Sequence, residues 1–455
     1  MPLDSSVDAA DFIDFTLDAG FDDIPSDVIE RGKDLILDLL AVGAAADTIP
    51  AARIGREIAV RQFNTGSEND RARIMFDGRT ASSGGAAYAG ATQIDSLDAH
   101  DGYSLAKGHA GCGLLPGIFA FAERYPELSA REALVTTILG YEIASRAGVA
   151  LHGTVSDYHT SGAWVALAVA ALGIRMAGGD SNTLRQAIGI AEYHGPRSQM
   201  MREIDNPTML HDGSGWGSMV GVTSSELALS GFEGAPALTV EREDAAPYWA
   251  DLGKDWLTVK QNIKLYPICR WAHAPIKAAL DLREEHGLTA DDVAAIEISS
   301  FHNATRLALD MPKTTGKSQY SINYPVAAAL VFGEVGPKVV SGETFDHPEI
   351  ARLVSVTSVS ECDHCNANFP ADRLGRTIVV TKDGRRLDSG ITRAPGEHTN
   401  PVERDGIIDK YRAFTHPVIG QERADRIEKV VYAMDDPKVR LSDLTGLVYP
   451  AIGQA

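Results

Sequence analysis

A change of period along the chain constrains this fold more than any other feature. From residue 1 to about 260 the chain reads as helices, and few segments alternate as a strand would. In SDVIERGKDLILDLLAVGAAA the stripe runs through Val28, Ile29, Leu35, Ile36, Leu39 and Leu40, with Ser26 expected as N-cap. SAREALVTTILGYEIASRAGVAL opens with Ser129 and Glu132 at capping-box spacing. GAWVALAVAALGI (162–174) carries no charge, yet is shorter than the roughly 17–25 residues a bilayer requires, so it predicts a buried helix. SELALSGFEG (225–234) reads as a helix ending in glycine, and RARIMFDG (71–78) as a short strand. From about 265 helical stripes such as APIKAALDLREEHG alternate with strands. DDVAAIEISSF carries one strand, and RTIVVTKDGRRLDSGITR reads as a hairpin turned at Asp383-Gly384. After about 405 the helical pattern returns. The fold class expected is mostly α with an α+β part. A large all-helical domain (1–265 and 405–455) would enclose a smaller inserted α+β domain (266–404).

Charge and cysteine content narrow the function. With 42 basic and 62 acidic residues the net charge is −20, which argues against nucleic acid or an anionic membrane as the main partner, since both call for a basic face. A local cluster of cations can still hold a small anion. The acidic start, MPLDSSVDAADFIDF, resembles neither a secretory signal nor a transit peptide. Four cysteines in 455 residues are too few for a disulfide framework and suit a reducing cytoplasm. Cys362-Asp-His-Cys365 has metal-ligand spacing, but structural zinc takes four ligands and no second pair follows. The expectation there is a loop with small buried thiols, and no metal.

The densest chemistry lies in DAHDGYSLAKGHAGCG (98–113), between the apolar stretches GGAAYAGATQI and LLPGIFAFAE. Asp98, His100, Asp101, Lys107 and His109 cannot all be buried as isolated charges, so the segment either lies in solvent or lines a polar cavity. Apolar flanks favour the cavity, and histidine suits proton transfer near neutrality. DYHTSGAW (157–164) sets His159 just before the apolar helix, where it either caps that helix or helps hold an anion. TMLHDGSGWGSMVG (208–221) matches neither a dinucleotide fingerprint nor a Walker loop. Its glycines suit close helix packing, and His211-Asp212 is its polar element. In IKLYPICRWAHAP (263–275), Lys264, Arg270 and His273 have the makings of a carboxylate clamp, against the plainer reading of an exposed charge row. In SQYSINYPVAAALVFG (318–333), Tyr320 and Tyr324 precede an apolar helix, where a tyrosine is more often a core residue than a catalyst.

In this order, SLDAHDGYSLAKGHAG, HTSGAWVALAVAALG, LHDGSGWGSMVGV, YPICRWAH and SQYSINYPVAAALVFG resemble the segments of the MmgE/PrpD family, from about residue 30 to 420. That family includes 2-methylcitrate dehydratase, cis-aconitate decarboxylase and iminodisuccinate epimerase. The resemblance implies a helical domain with a smaller α+β domain, a homodimer and no cofactor. Asp98, His109, His159, His273 and Tyr324 match its active-site positions, and His211 falls where the family often has a catalytic lysine. Gly102 stands in place of a threonine, and His109-Ala110 in place of His-Pro. Those departures weaken decarboxylation and leave dehydration or epimerisation.

The reactions share removal of a proton next to a carboxylate, whose enediolate product needs cations around it. The expected site therefore has His100 or His109 as proton carrier and Lys107 as carboxylate partner. Asp98 or Asp101 would orient an imidazole, with Asp101, Lys264 and Arg270 counted among the substrate contacts. His159, His211 and His273 would face the 98–109 segment across one pocket. The expected ligand is a small polycarboxylate. A metal phosphohydrolase using His100-Asp101 would need an upstream histidine, and His100 is the first in the chain. A non-catalytic binding protein on the same fold is the other alternative.

Overall fold

The computed structural model describes residues 10–453, so most of the acidic N-terminal stretch lies outside the described residues. The chain divides into two units. The first comprises residues up to Met200, Asp212–Asn262 and Glu403 onward, and the second Met201–His211 with Ile263–Val402.

The first unit is helical. Ser26–Ala45 is buried on nearly all sides from Lys33 onward, and packs against Ser83–Leu97, Ala130–Thr154 and Arg404–Ile419. Its N-cap is Pro25 rather than Ser26. The proline ring fixes φ at −57° with an extended ψ of 146°, which leaves Ser26 as the first helical residue. Ser129 does cap Ala130–Thr154, its Oγ accepting from Glu132 N at 3.0 Å. That helix is long and apolar enough to cross a membrane, but 94% of its apolar window is buried inside the protein. The short strand expected at 71–78 is Arg71–Arg73, paired antiparallel with Thr80–Ser82.

The apolar run forms the buried helix Gly162–Met176. It packs on Ser214–Leu229, which begins well before the stretch expected from SELALSGFEG and takes in the glycine-rich segment. Close approach explains why. A Cβ on Gly217 would lie 2.6 Å from Gly162 O, and one on Gly221 would lie 2.5 Å from Val169 Cβ. Packing energy gained across this narrow gap offsets the entropy that glycine costs in a helix. The tail returns to the same unit. Arg404 Nε meets Asp34 Oδ1 at 2.9 Å, and Lys410 Nζ meets Asp38 Oδ1 at 2.6 Å.

The second unit is built on a five-stranded sheet. Val293–Ser300 is flanked by Thr357–Glu361, parallel, and by Leu374–Thr381, antiparallel, with Ile298 opposite both Val359 and Thr377. Arg386–Asp388 and Thr392–Arg393 both pair with Leu374–Thr381. The expected hairpin forms, although Gly384 alone of the Asp383-Gly384 pair has positive φ, at 88°. Gly384 N bonds Thr381 O at 3.0 Å and Thr381 N bonds Arg385 O at 2.9 Å, the pattern of a three-residue loop with left-handed glycine last. His273–His286 packs on this sheet and on Asn323–Phe332.

Residues 201–211, expected in the helical domain, group with the second unit. Asp205 pairs with Arg306, the His211 ring lies 5.8 Å from that of Tyr320, and Thr208 O sits where a Cβ on Gly316 would fall. Their sequence pattern is helical, but their contacts are with residues a hundred or so positions later.

Candidate active site

The helix Ser83–Leu97 stops because Asp98 turns left-handed (φ 52°, ψ 39°) while its N–H bonds Asp95 O at 3.0 Å. The segment that follows is pinned by its backbone. Ala99 O accepts from Lys410 Nζ at 2.7 Å, Gly102 and Asn262 exchange bonds of 3.1 and 2.7 Å, and Tyr103 N bonds Gly108 O at 2.9 Å. Asp98, His100 and Asp101 are buried, and His109 keeps a side-chain exposure of 16%. The chemistry that looked out of place between apolar walls is therefore inside the protein.

His109 is held from three sides. Its Nδ1 contacts the carbonyl oxygen of Asp101, so Nδ1 carries the hydrogen and donates it. That leaves Nε2 as the basic nitrogen, 3.6 Å from Asp212 Oδ2. Asp212 accepts from Ser161 Oγ at 2.7 Å, and Ser161 Oγ accepts from His109 N at 2.9 Å. The His100 ring stands edge-on to the His109 ring, with centroids 4.6 Å apart and planes at 87°.

His100 is buried with Asp95 and Cys112. Its Nε2 lies 3.5 Å from Asp95 Oδ1, while Cys112 Sγ bonds Ser214 Oγ at 3.1 Å. Burial works against a charged imidazole here, and Cys112 and Asp95 work for it, leaving the ring well above its ordinary value. Burial also pushes the Cys112 thiol up to about 11, so it stays neutral and the Asp95 carboxylate is the charge that holds the His100 proton. Asp95, His100 and Cys112 also place donor atoms within 4.8 Å of one another, a set suited to a divalent ion but one short of the four a closed zinc site takes.

Both carboxylate oxygens of Asp101 are bonded within the protein. Its Oδ1 accepts from Tyr141 Oη at 3.1 Å and its Oδ2 from Gly111 N at 3.2 Å. Any Cβ at Gly111 would collide with that pair, at 2.2 Å from Tyr141 Oη and 2.3 Å from Asp101 Oδ1. The side chain expected to touch substrate is committed to holding the loop, and only its carbonyl oxygen reaches a catalytic candidate.

Lys107 adopts φ 56°, offers its carbonyl oxygen to Tyr158 Oη at 2.7 Å, and sets Nζ 5.6 Å over the Tyr158 ring. His159 is buried beside His152, with rings stacked at 6.5 Å and His159 N donating to His152 Nε2 at 3.1 Å. Burial, then the Lys107 charge, lowers His152 from 6.5 to about 4. Burial, then Arg197, lowers His159 too. Lys107, His152, His159 and Arg197 thus form a cationic neighbourhood whose imidazoles stay neutral at neutral pH. Because the fold disfavours charged His152, its contribution to stability is full above pH 6.5 and is lost as pH falls from 6.5 towards about 4. His152→Gln should flatten that part of the stability profile in urea titrations. Parallel profiles for variant and wild type would show that the ring does not carry it.

In the second unit, His211 takes φ 47° and is buried with Nδ1 3.9 Å from Glu203 Oε1. Lys264 is fully buried. Arg270 does not stand open as a clamp. Its Nη2 lies 3.1 Å from Glu397 Oε1 and its Nη1 donates to Pro395 O at 2.5 Å and to His273 Nδ1 at 3.3 Å. His273 Nε2 donates to Ile268 O at 2.9 Å, so both ring nitrogens serve the protein. Tyr324 is also a core residue. Its hydroxyl donates to Val339 O at 2.7 Å and meets Thr344 Oγ1 at 2.6 Å, as in the plainer reading of a core tyrosine with a satisfied hydroxyl.

Asp95, Cys112, His152, Ser161 and Asp212 were not among the expected site residues. Cys112 and Asp212 stood in quoted stretches as neighbours of histidines. His152 gave no signal, because it ends a helix whose pattern reads as core.

Gly102 belongs to this geometry. A Cβ there would lie 3.0 Å from His109 Nδ1 and 3.2 Å from Gly108 O. Gly102→Thr should displace the His109 ring and reduce turnover by up to about 10²-fold, the effect of a misplacement near 1 Å. Unchanged turnover would mean the ring position is not set by this gap.

Residues 10–252 match the family model described as MmgE/PrpD N-terminal domain, and residues 266–436 the one described as MmgE/PrpD C-terminal domain. Similar curated proteins include a cis-aconitate decarboxylase-like protein, oryM, of Aspergillus oryzae, 24% identical over 94% of both chains. Two cis-aconitate decarboxylases of Aspergillus terreus are 24% and 25% identical over 94% of this chain and 92% of theirs. Two domain models matching in order, over the helical and the sheet-containing parts in turn, place the chain in the MmgE/PrpD family.

Proposed function

We propose that this protein is a cofactor-independent lyase that removes a proton next to a carboxylate of a small di- or tricarboxylate, with hydroxide as leaving group. The arrangement of His109 carries the reading. Nδ1–H is anchored on the Asp101 carbonyl, Nε2 is left basic, and Asp212 stands 3.6 Å away to stabilise the imidazolium that forms. The backbone carbonyl fixes the tautomer of a general base, and the carboxylate offsets the charge the base gains. His100, protonated against Asp95, supplies positive charge behind that ring as the enediolate develops. Lys107 is the proposed carboxylate partner, with His159 beside it. Asp98 shapes the turn into the segment. Within the second unit, His211 beside Glu203, and Lys264, are proposed as further proton-handling and carboxylate-binding groups, to be tested by their own substitutions. A homodimer in the cytoplasm accords with the family resemblance and with four free cysteines.

Decarboxylation is the second reading, because three similar proteins carry that activity or a likeness to it in their names. Epimerisation shares the first step. Proton NMR of a panel of di- and tricarboxylates in deuterium oxide separates the three. Exchange at the α-carbon with loss of water supports the lyase, exchange with inversion alone supports epimerisation, and release of carbon dioxide supports decarboxylation. No exchange or turnover on any member, with folded protein, removes the proposal in favour of a binding protein. Activity lost to a chelator and restored by a divalent ion would reassign Asp95, His100 and Cys112 as metal ligands.

A further inference from the structure

The Cys362-Asp-His-Cys365 stretch takes no part in the proposed reaction, and its geometry is not that of two inert thiols. Cys362 follows directly on the strand Thr357–Glu361, its N–H bonding Ser300 O at 2.8 Å. It is the N-cap of the short helix Asp363–Asn368, and its Sγ accepts the Cys365 N–H at 3.4 Å. Serine, threonine, asparagine or aspartate would cap better than a weakly accepting sulfur, so capping does not account for a cysteine here. Cys365 is fully buried and Cys362 is partly exposed. Three residues apart on one helical turn, the two Cα atoms are separated by about 5 Å, inside the range of roughly 4.4–6.8 Å that a disulfide bridges. The other two cysteines, Cys112 and Cys269, are buried.

We propose that Cys362 and Cys365 are a redox-active dithiol, oxidised to an intramolecular disulfide by low-molecular-weight disulfides of the glutathione class. The exposed Cys362 thiolate attacks one sulfur of the oxidant. The oxidant's S–S bond breaks, a mixed disulfide forms on Cys362, and one small thiolate leaves. Burial pushes the Cys365 thiol up to about 12, so Cys365 attacks the Cys362 sulfur as its proton passes to the second small thiolate, which leaves as the thiol. The dithiol gives up two electrons and two protons, and the oxidant gains both to become two thiols. The asymmetry of exposure sets the order, because only Cys362 can be reached from solvent, while Cys365 is placed to resolve the adduct.

The experiment uses the full chain, oxidised glutathione, alkylation of remaining thiols and peptide mass spectrometry. In the wild type the peptide spanning 362–365 should lose two hydrogens and regain them with dithiothreitol. Cys365→Ser should trap a stable glutathione adduct on Cys362, and Cys362→Ser should form neither adduct nor disulfide. Unchanged far-UV circular dichroism and substrate turnover of both variants establish that each is folded. The proposal is overturned if wild-type Cys362 and Cys365 both stay alkylatable. It is equally overturned if wild type and Cys365→Ser accumulate the same mixed disulfide, since Cys365 would then resolve nothing.

Discussion

Replacing His109 with alanine is expected to lower kcat by about 10²–10⁴-fold with little change in KM, the usual worth of a positioned proton carrier. Nothing else on the segment 98–109 offers a partly exposed basic nitrogen backed by a carboxylate. His100 is fully buried against Asp95, and Asp101 is consumed by Tyr141 and Gly111. Lys107→Ala should behave differently. A carboxylate contact present in both ground and transition states is uniform binding, so its loss should raise KM more than it lowers kcat. Asp212→Asn keeps the shape but removes the charge opposite Nε2, and should reproduce part of the His109→Ala defect in kcat. Steady-state kinetics on the substrate found by deuterium exchange decides the matter. Near-wild-type constants for His109→Ala and Lys107→Ala together would place the reaction elsewhere in the molecule.

The second large effect concerns stability. Lys410→Ala should cost about 3–5 kcal/mol, the penalty for stranding one partner of a buried ion pair. Lys410 and Asp38 have side-chain exposures of 3% and 1%. The ammonium also holds Ala99 O at 2.7 Å, so its loss frees the backbone next to His100 as well as leaving Asp38 uncompensated. The urea midpoint should fall markedly, and hydrogen exchange in 98–103 should quicken. Adding Asp38→Asn should recover part of the loss, because the stranded charge goes with it. An unfolding free energy within about 0.5 kcal/mol of wild type, the range of ordinary surface changes, would show that the pair contributes little.

Local chemistry was legible wherever neighbours within a few residues decide the outcome. Apolar spacing marked Ser26–Ala45 and Gly162–Met176, Ser129 marked a cap, and Gly384 marked a hairpin. Those signals arise from steric and hydrogen-bonding rules acting along the chain. The ordered motifs likewise picked out the histidines of the 98–109 segment. What the histidines are for depended on approaches no local rule encodes. Asp212 meets His109 only because Ser214–Leu229 lies close on Gly162–Met176, a distance set by glycines on both helices. Lys410 reaches Asp38 across 372 residues. His152 looked like core until Lys107 and His159 came up beside it. Arg270, which by type was fit to hold a substrate, is engaged by Pro395 O and the Glu397 carboxylate more than a hundred residues on, while His273 and Tyr324 bond the nearer carbonyls of Ile268 and Val339. Residue type and spacing determine which groups are able to move a proton or hold a carboxylate. Which of them is placed to do so is decided by desolvation and hydrogen bonding, and those exist only once the helices have packed.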